Sequence, residues 1–193
     1  MVTRACSLIA VGLSLVASAQ HTAPFAARGL VSGSASIAPG FMRNAPLTNT
    51  YLTGDLNYFL EDRISLCGSG AWFVGGQEQG TILKQNSRLS FGPVYHWTKG
   101  GLDVGLGLMP GVSLTQLDPM YGGAEATATP LKVLPNVSLT GGVTYYVWKY
   151  MHFFANARYA HAQYAAAPTG ALSLDELVVS AGLGWQVRLR KKG

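Results

Sequence analysis

Side chains able to do acid–base, nucleophilic or metal chemistry are sparse in this 193-residue chain. It holds four histidines (His21, His96, His152 and His161) and two cysteines, Cys6 and Cys67. A hydrolytic relay needs a nucleophile and a base within hydrogen-bond reach. No serine stands within a few residues of His161, whose neighbours are Ala160, Ala162, Gln163 and Tyr164. Scattered histidines without paired cysteines or carboxylates at ligand spacing do not make a metal site. Gly105-Leu106-Gly107 is not followed by a helix signal, so it is no nucleotide loop. What remains is a set of charges embedded in apolar stretches: Asp55, Arg88, Asp103 and Arg158. In a closed interior such charges must pair, because an unpaired buried charge is costly. No catalytic residue, metal ligand or cofactor is assigned.

The elements that position these charges read as strands. Eight segments alternate apolar and polar residues, at about 29–38, 50–60, 63–74, 87–97, 101–112, 133–147, 151–163 and 176–189. Successive side chains on a strand point to opposite faces, so each segment has one greasy face and one wet face. In the second, Leu52, Leu56, Tyr58 and Leu60 oppose Thr53, Asp55 and Asn57. In the last, Leu177, Val179, Leu183, Trp185, Val187 and Leu189 oppose Ser180, Gln186 and Arg188. Tight links at Glu61-Asp62-Arg63, Thr98 to Gly101 and Trp148 to Tyr150 alternate with long polar links near 39–49, 75–86, 113–131 and 164–175. Short turns at one end and long loops at the other are the pattern of an outer-membrane barrel. The expected fold class is all-β, an eight-stranded antiparallel up-and-down transmembrane β-barrel.

No Asp, Glu, Lys or Arg falls on the apolar parity between the turns. An Arg or Lys there would cost roughly 2–4 kcal/mol at mid-bilayer. Alternation alone does not say which face is inside, and a soluble ligand-binding barrel would turn the apolar face inward. Tyr58, Trp97, Tyr145, Trp148 and Tyr150 gather near the short turns, with Trp185 in the last strand, as an interfacial aromatic girdle would. Tyr51, Trp72 and Phe73, towards the loop side, are read as girdle too. Pro93 predicts a bulge or kink in the fourth strand, since proline removes a ladder hydrogen bond.

Composition agrees with lipid contact spread over many strands. Charged residues make up only 12% of the chain, against about 25% in a soluble domain. Mean hydropathy is +0.20, yet past the N-terminus no apolar run approaches the ~18 residues of a membrane helix. Residues 1–19 read as a signal peptide: Arg4, the apolar run Leu8 to Val16, then Ala17-Ser18-Ala19 as a cleavage site. Residues 20–193 are then one domain ending in a short basic tail. Cys67 is alone in that domain, so it makes no internal disulfide and is expected to pack as a small residue. Four of the basic residues are Arg188, Arg190, Lys191 and Lys192, so the net charge of +5 is largely a property of the tail. A basic tail without a basic face gives no nucleic-acid partner.

The stretch Thr53 to Gly76 (TGDLNYFLEDRISLCGSGAWFVGG) and the last strand, Gly184-Trp185-Gln186-Val187-Arg188-Leu189, resemble the small outer-membrane barrels of Gram-negative bacteria, the OmpA/OmpX-like superfamily. The resemblance spans about residues 28–189. It implies residence in the outer membrane after signal-peptide-dependent export, against lipid and lipopolysaccharide. It implies that Trp185, Val187 and Leu189 form the signal read by the barrel-insertion machinery; Leu189 stands where relatives carry an aromatic residue. Some such barrels edit lipid A with a Ser/His pair and an acid near the outer leaflet. By parity His96 and His152 point inward near the turns, and His161 lies on the loop side.

Eight strands enclose an interior that side chains just fill, which argues against a general diffusion pore. Asp55, Arg88, Asp103 and Arg158 are expected in that interior, with at least one opposite-sign pair across it. The expected role is structural or loop-mediated: envelope integrity, or adhesion to an extracellular or envelope protein partner. The longest loop, about 113–131, offers Asp118, Tyr121 and Glu125 for contact. Two alternatives stand beside this reading: a lipid A-modifying enzyme resting on His161, and a soluble periplasmic ligand-binding barrel.

Overall fold

A computed structural model describes residues 26–45, 47–76, 82–119, 130–167 and 170–189. The expected signal peptide, His21, Tyr121, Glu125 and the tail bases Arg190, Lys191 and Lys192 lie outside the described residues. The described strands are β1 (Leu30–Met42), β2 (Thr48–Glu61), β3 (Ile64–Gly76), β4 (Leu83–Lys99), β5 (Leu102–Leu117), β6 (Lys132–Tyr146), β7 (Met151–Ala167), β8 (Gly170–Ser173) and β9 (Glu176–Arg188). From β1 to β7 each pairs antiparallel with the next, and β9 pairs with both β7 and β1. The sheet therefore closes into an eight-stranded up-and-down barrel of β1 to β7 and β9. β8 is a short extra strand on the outer part of β7.

The strands extend further at the loop end than hydrophobic alternation indicates. β4 starts at Leu83, β5 runs to Leu117 and β7 to Ala167. Polar pairs such as Gln85↔Gln116 and Asn86↔Thr115 continue the β4–β5 ladder past the apolar belt. A ladder needs only backbone partners, so it outlasts the side-chain pattern that reveals it.

The apolar parity faces outward. Leu52 and Leu56 are each 53% exposed, Leu89 63% and Leu183 52%, whereas Ser65, Ser113, Thr115 and Glu176 are 0% exposed. This overturns the soluble-barrel alternative, which needs an apolar interior: here the leucines cover the outside and hydroxyls and charges fill the inside. A belt of this kind is stable only against lipid.

Pro93 interrupts pairing without shifting it. The β4–β5 register runs to Ser90↔Gly111 and resumes at Val94↔Gly107 in the same frame. Of the expected bulge or kink, the bulge is absent: Pro93 stays opposite Leu66 in the β3–β4 ladder, and the irregularity is a lapse of β4–β5 pairing where the two strands lie close. A Cβ on Gly92 would stand 2.5 Å from the Leu108 carbonyl oxygen, and one on Gly107 2.8 Å from that of Pro93.

Apolar plugs lie at both ends of the lumen. Met42, Leu83, Leu117, Ala162, Tyr164 and Leu174 pack at the loop end, and Ala26, Leu30, Phe59 and Tyr146 at the turn end. Tyr51 and Phe73 do not belong to a girdle. Tyr51 is wholly buried in the lumen, with the Phe73 ring edge-on at 5.7 Å. Tyr51 shares the parity of Thr53 and Asp55, and Phe73 that of Ser69, so both point inward. Trp72, of opposite parity, is 67% exposed.

Candidate functional site

Among the described residues, three polar clusters in the lumen between the plugs are built on a carboxylate. Nearest the turns, Ser65 on β3, His96 on β4 and Asp103 on β5 face inward from adjacent strands. His96 Nδ1 lies 2.8 Å from Asp103 Oδ2, and its Nε2 2.8 Å from Ser65 Oγ. The Ser65 hydroxyl is also placed to donate to Asn57 Oδ1 at 3.3 Å. Gly105, opposite His96 in the ladder, leaves room for the ring. The order Ser–His–Asp is that of a hydrolytic relay. Ser65, however, is 0% exposed and the Phe59 ring lies 4.5 Å from that of His96. Buried in this way, Ser65 presents no nucleophile to a substrate. A search for serines near each histidine along the chain misses this cluster, because its members meet across strands. His152, further round the wall, pairs through Nδ1 with Gln186 Oε1 at 2.6 Å.

At mid-height Arg158 Nη2 donates to Asp55 Oδ1 at 2.7 Å, and its Nη1 to Ser69 Oγ. Asn156 donates to Asp55 Oδ2 at 3.4 Å and accepts from Thr140 at 3.0 Å. Closer to the loops, Arg88 pairs with Glu176. Tyr51 Oη and Asn49 Nδ2 each donate to the Glu176 carboxylate at 2.7 Å. Arg88 and Asn86 in turn donate to Tyr51 Oη, both at 3.1 Å. The four charges named from sequence thus separate: Asp55 meets Arg158, Arg88 meets Glu176, and Asp103 meets His96. Glu176 stands at the start of its strand, where alternation gives no sign of burial, and it shares the parity of Ser180 and Gln186.

A fourth cluster lies on the outer face at the loop end. His161 Nδ1 is 2.5 Å from Asp175 Oδ1, and Tyr159 Oη donates to Asp175 Oδ2 at 3.0 Å. Arg43 Nη1 reaches Tyr159 Oη at 3.5 Å. The His161 side chain is 52% exposed and that of Asp175 13%. Partial burial of Asp175 works to raise its pKa, but the hydrogen bonds from His161 and Tyr159 outweigh it, and the carboxyl sits below its usual range. Asp118 follows the end of β5, where its amide donates to the Ile82 carbonyl at 2.9 Å. Tyr58, Trp97, Trp148, Tyr150 and Trp185 are exposed at the turn end and Tyr145 is half-buried there. Val187 and Leu189 are exposed beside them, and the Leu189 amide donates to Gly29 O at 2.9 Å. Among the described residues no group of three or more His, Cys, Asp or Glu is placed to hold a metal.

Comparison with known proteins finds likeness in structure only. No family model matches the chain, and no curated protein matches its sequence. The N-terminal barrel domain of Pseudomonas aeruginosa OprF superposes with a TM-score of 0.55 at 17% identity, covering 83% of this chain and 98% of that domain. Neisserial surface protein A gives 0.57 at 13%, covering 83% and 96%. The attachment invasion locus protein Ail of Yersinia pestis, solved in complex with the heparin analogue sucrose octasulfate, gives 0.51 at 12%, covering 83% and 99%. Together with the closed eight-stranded sheet and its apolar exterior, these likenesses give the chain the fold of the small eight-stranded outer-membrane β-barrels.

Proposed function

We propose that this protein is a plugged outer-membrane barrel whose role is structural or carried by its loops, and not a general diffusion pore. The observation that carries this reading is the Arg88–Glu176–Tyr51 network, buried across the lumen beneath an apolar plug at the loop end. Opening a pore would require dismantling both. The test has two parts. In outer-membrane fractions the chain should resist detergent and change gel mobility on boiling. Reconstituted in planar bilayers, it should give no large steady conductance; porin-sized steps would overturn the plugged reading.

Contact with a partner falls to the loop end, where Asp118 opens the longest connection. The Ail complex with a heparin analogue supports looking for an acidic glycan or an extracellular protein there. Removing residues 119–130 should abolish any cell adhesion conferred by the chain while leaving the mobility shift intact.

One observation favours a second reading, chemistry on outer-leaflet lipid. His161 and Asp175 form a hydrogen-bonded pair on the outer face at the loop end, with the imidazole half exposed. A carboxylate that orients a histidine in this way is a general-base arrangement. Lipid A mass spectra should then differ between the native chain and His161→Ala; identical spectra dismiss this reading.

A further inference from the structure

We propose that the turn-end chamber of the lumen binds a small monovalent cation against Asp103. Asp55 and Glu176 each hold a guanidinium. Asp103 has only the His96 ring, through Oδ2; its Oδ1 has no protein partner, and the side chain is 4% exposed. A carboxylate oxygen buried without a partner is strongly unfavourable. Asp103 lines a chamber of about 80 Å³ whose wall also includes Ser32, Ser34, Asn57, Thr140 and Thr144, all with oxygen-bearing side chains. His96, His152, Cys67, Asp55 and Arg158 line the same chamber; Asp55 and Arg158 neutralise each other, although Arg158 Nε has no partner.

The ligand class follows from these groups. One free carboxylate oxygen among neutral hydroxyl and amide oxygens suits sodium or potassium. Calcium needs six to eight oxygen ligands and usually several carboxylates. Copper and zinc favour imidazole and thiolate ligands, and although His96, His152 and Cys67 line the chamber, no three His, Cys, Asp or Glu side chains among the described residues are placed to hold such an ion. An anion would stand against Asp103.

The test is thermal unfolding of the purified barrel in detergent at pH 8.5, above the ordinary imidazole range. Sodium or potassium chloride is compared with N-methylglucamine chloride, whose cation is too large for the chamber, at equal ionic strength. The midpoint should be about 3 °C higher with the small cations and should saturate with their concentration. Asp103→Asn should erase the difference. Equal midpoints for the native chain, or a difference that survives in Asp103→Asn, overturn the proposal. If Asp103→Asn does not fold, crystals of the native protein grown with thallium(I) decide it. An anomalous peak in contact with Asp103 supports the site, and its absence overturns it.

Discussion

Arg158 on β7 reaches through the lumen to Asp55 on β2, with 2.7 Å between Nη2 and Oδ1 and both side chains 11% exposed. Their strands are not neighbours, since β1 and β9 lie between them. The pair therefore ties opposite parts of the wall across the interior. Breaking a fully buried pair costs about 3–5 kcal/mol. Access of water to this mid-lumen pair lowers the expectation to about 2 kcal/mol for Asp55→Ala or Arg158→Ala. The double variant should lose less than the sum of the two singles. Urea titrations read by gel mobility measure all three; two silent single variants would show that the pair contributes nothing.

Glu176 sits at the centre of three donors, from Asn49, Tyr51 and Arg88, and it should be the most sensitive polar position in the lumen. Glu176→Gln leaves the Arg88 guanidinium buried without a counter-charge, at a cost of about 3–5 kcal/mol. Tyr51→Phe removes one hydroxyl from the same network and should cost about 1–2 kcal/mol. The ordering is the prediction: the same titrations should rank Glu176→Gln as clearly more damaging than Tyr51→Phe. A reversed ranking would place the energy of the cluster in the tyrosine, not in the ion pair.

These two clusters show what the sequence makes legible. Period-two alternation marks seven of the barrel strands clearly, because lipid outside and a filled lumen inside impose opposite demands on alternate residues; the first, weakly patterned, rests partly on the need for an even strand count. It also put Asp55, Arg88, Asp103 and Arg158 on one face. Which of them meet is a matter of strand register and tilt, and these are settled by backbone pairing between segments far apart in the chain. Glu176 was hidden at a strand start, where burial depends on where the barrel ends. The Ser65–His96–Asp103 cluster was hidden because its members sit on three strands. The inward turn of Tyr51 and Phe73 is visible in parity, although their aromatic character points to the girdle.

Acid should loosen the outer rim through Asp175. Its carboxyl is held below the ordinary value by His161 and Tyr159 despite partial burial. A depressed carboxyl contributes stability that is fully present above its unfolded value, 3.8, and is lost as pH falls through the folded value. The native chain should therefore exceed Asp175→Asn in stability at pH 6, and the gap should close below about pH 4. Unfolding midpoints of the two proteins across this range check it. A gap that persists at pH 2 would mean that the Asp175 charge is not what holds the rim.

Gly33 and Trp185 give a prediction for the lipid face at the turn end. They are direct partners in the β1–β9 ladder, and the indole lies so close over Gly33 that a Cβ there would stand 2.7 Å from its ring carbons. The neighbouring strand cannot give way, because β9 is held on its other side by β7. Gly33→Ala must therefore push the indole outward, off the barrel wall and along the bilayer interface. Overpacking of this kind costs about 1–3 kcal/mol. The indole should also meet a different mix of lipid and water, so the emission maximum of a variant retaining only Trp185 should move when Ala is placed at Gly33. If neither stability nor emission changes, the indole does not rest on β1, and its place in the aromatic girdle owes nothing to that glycine.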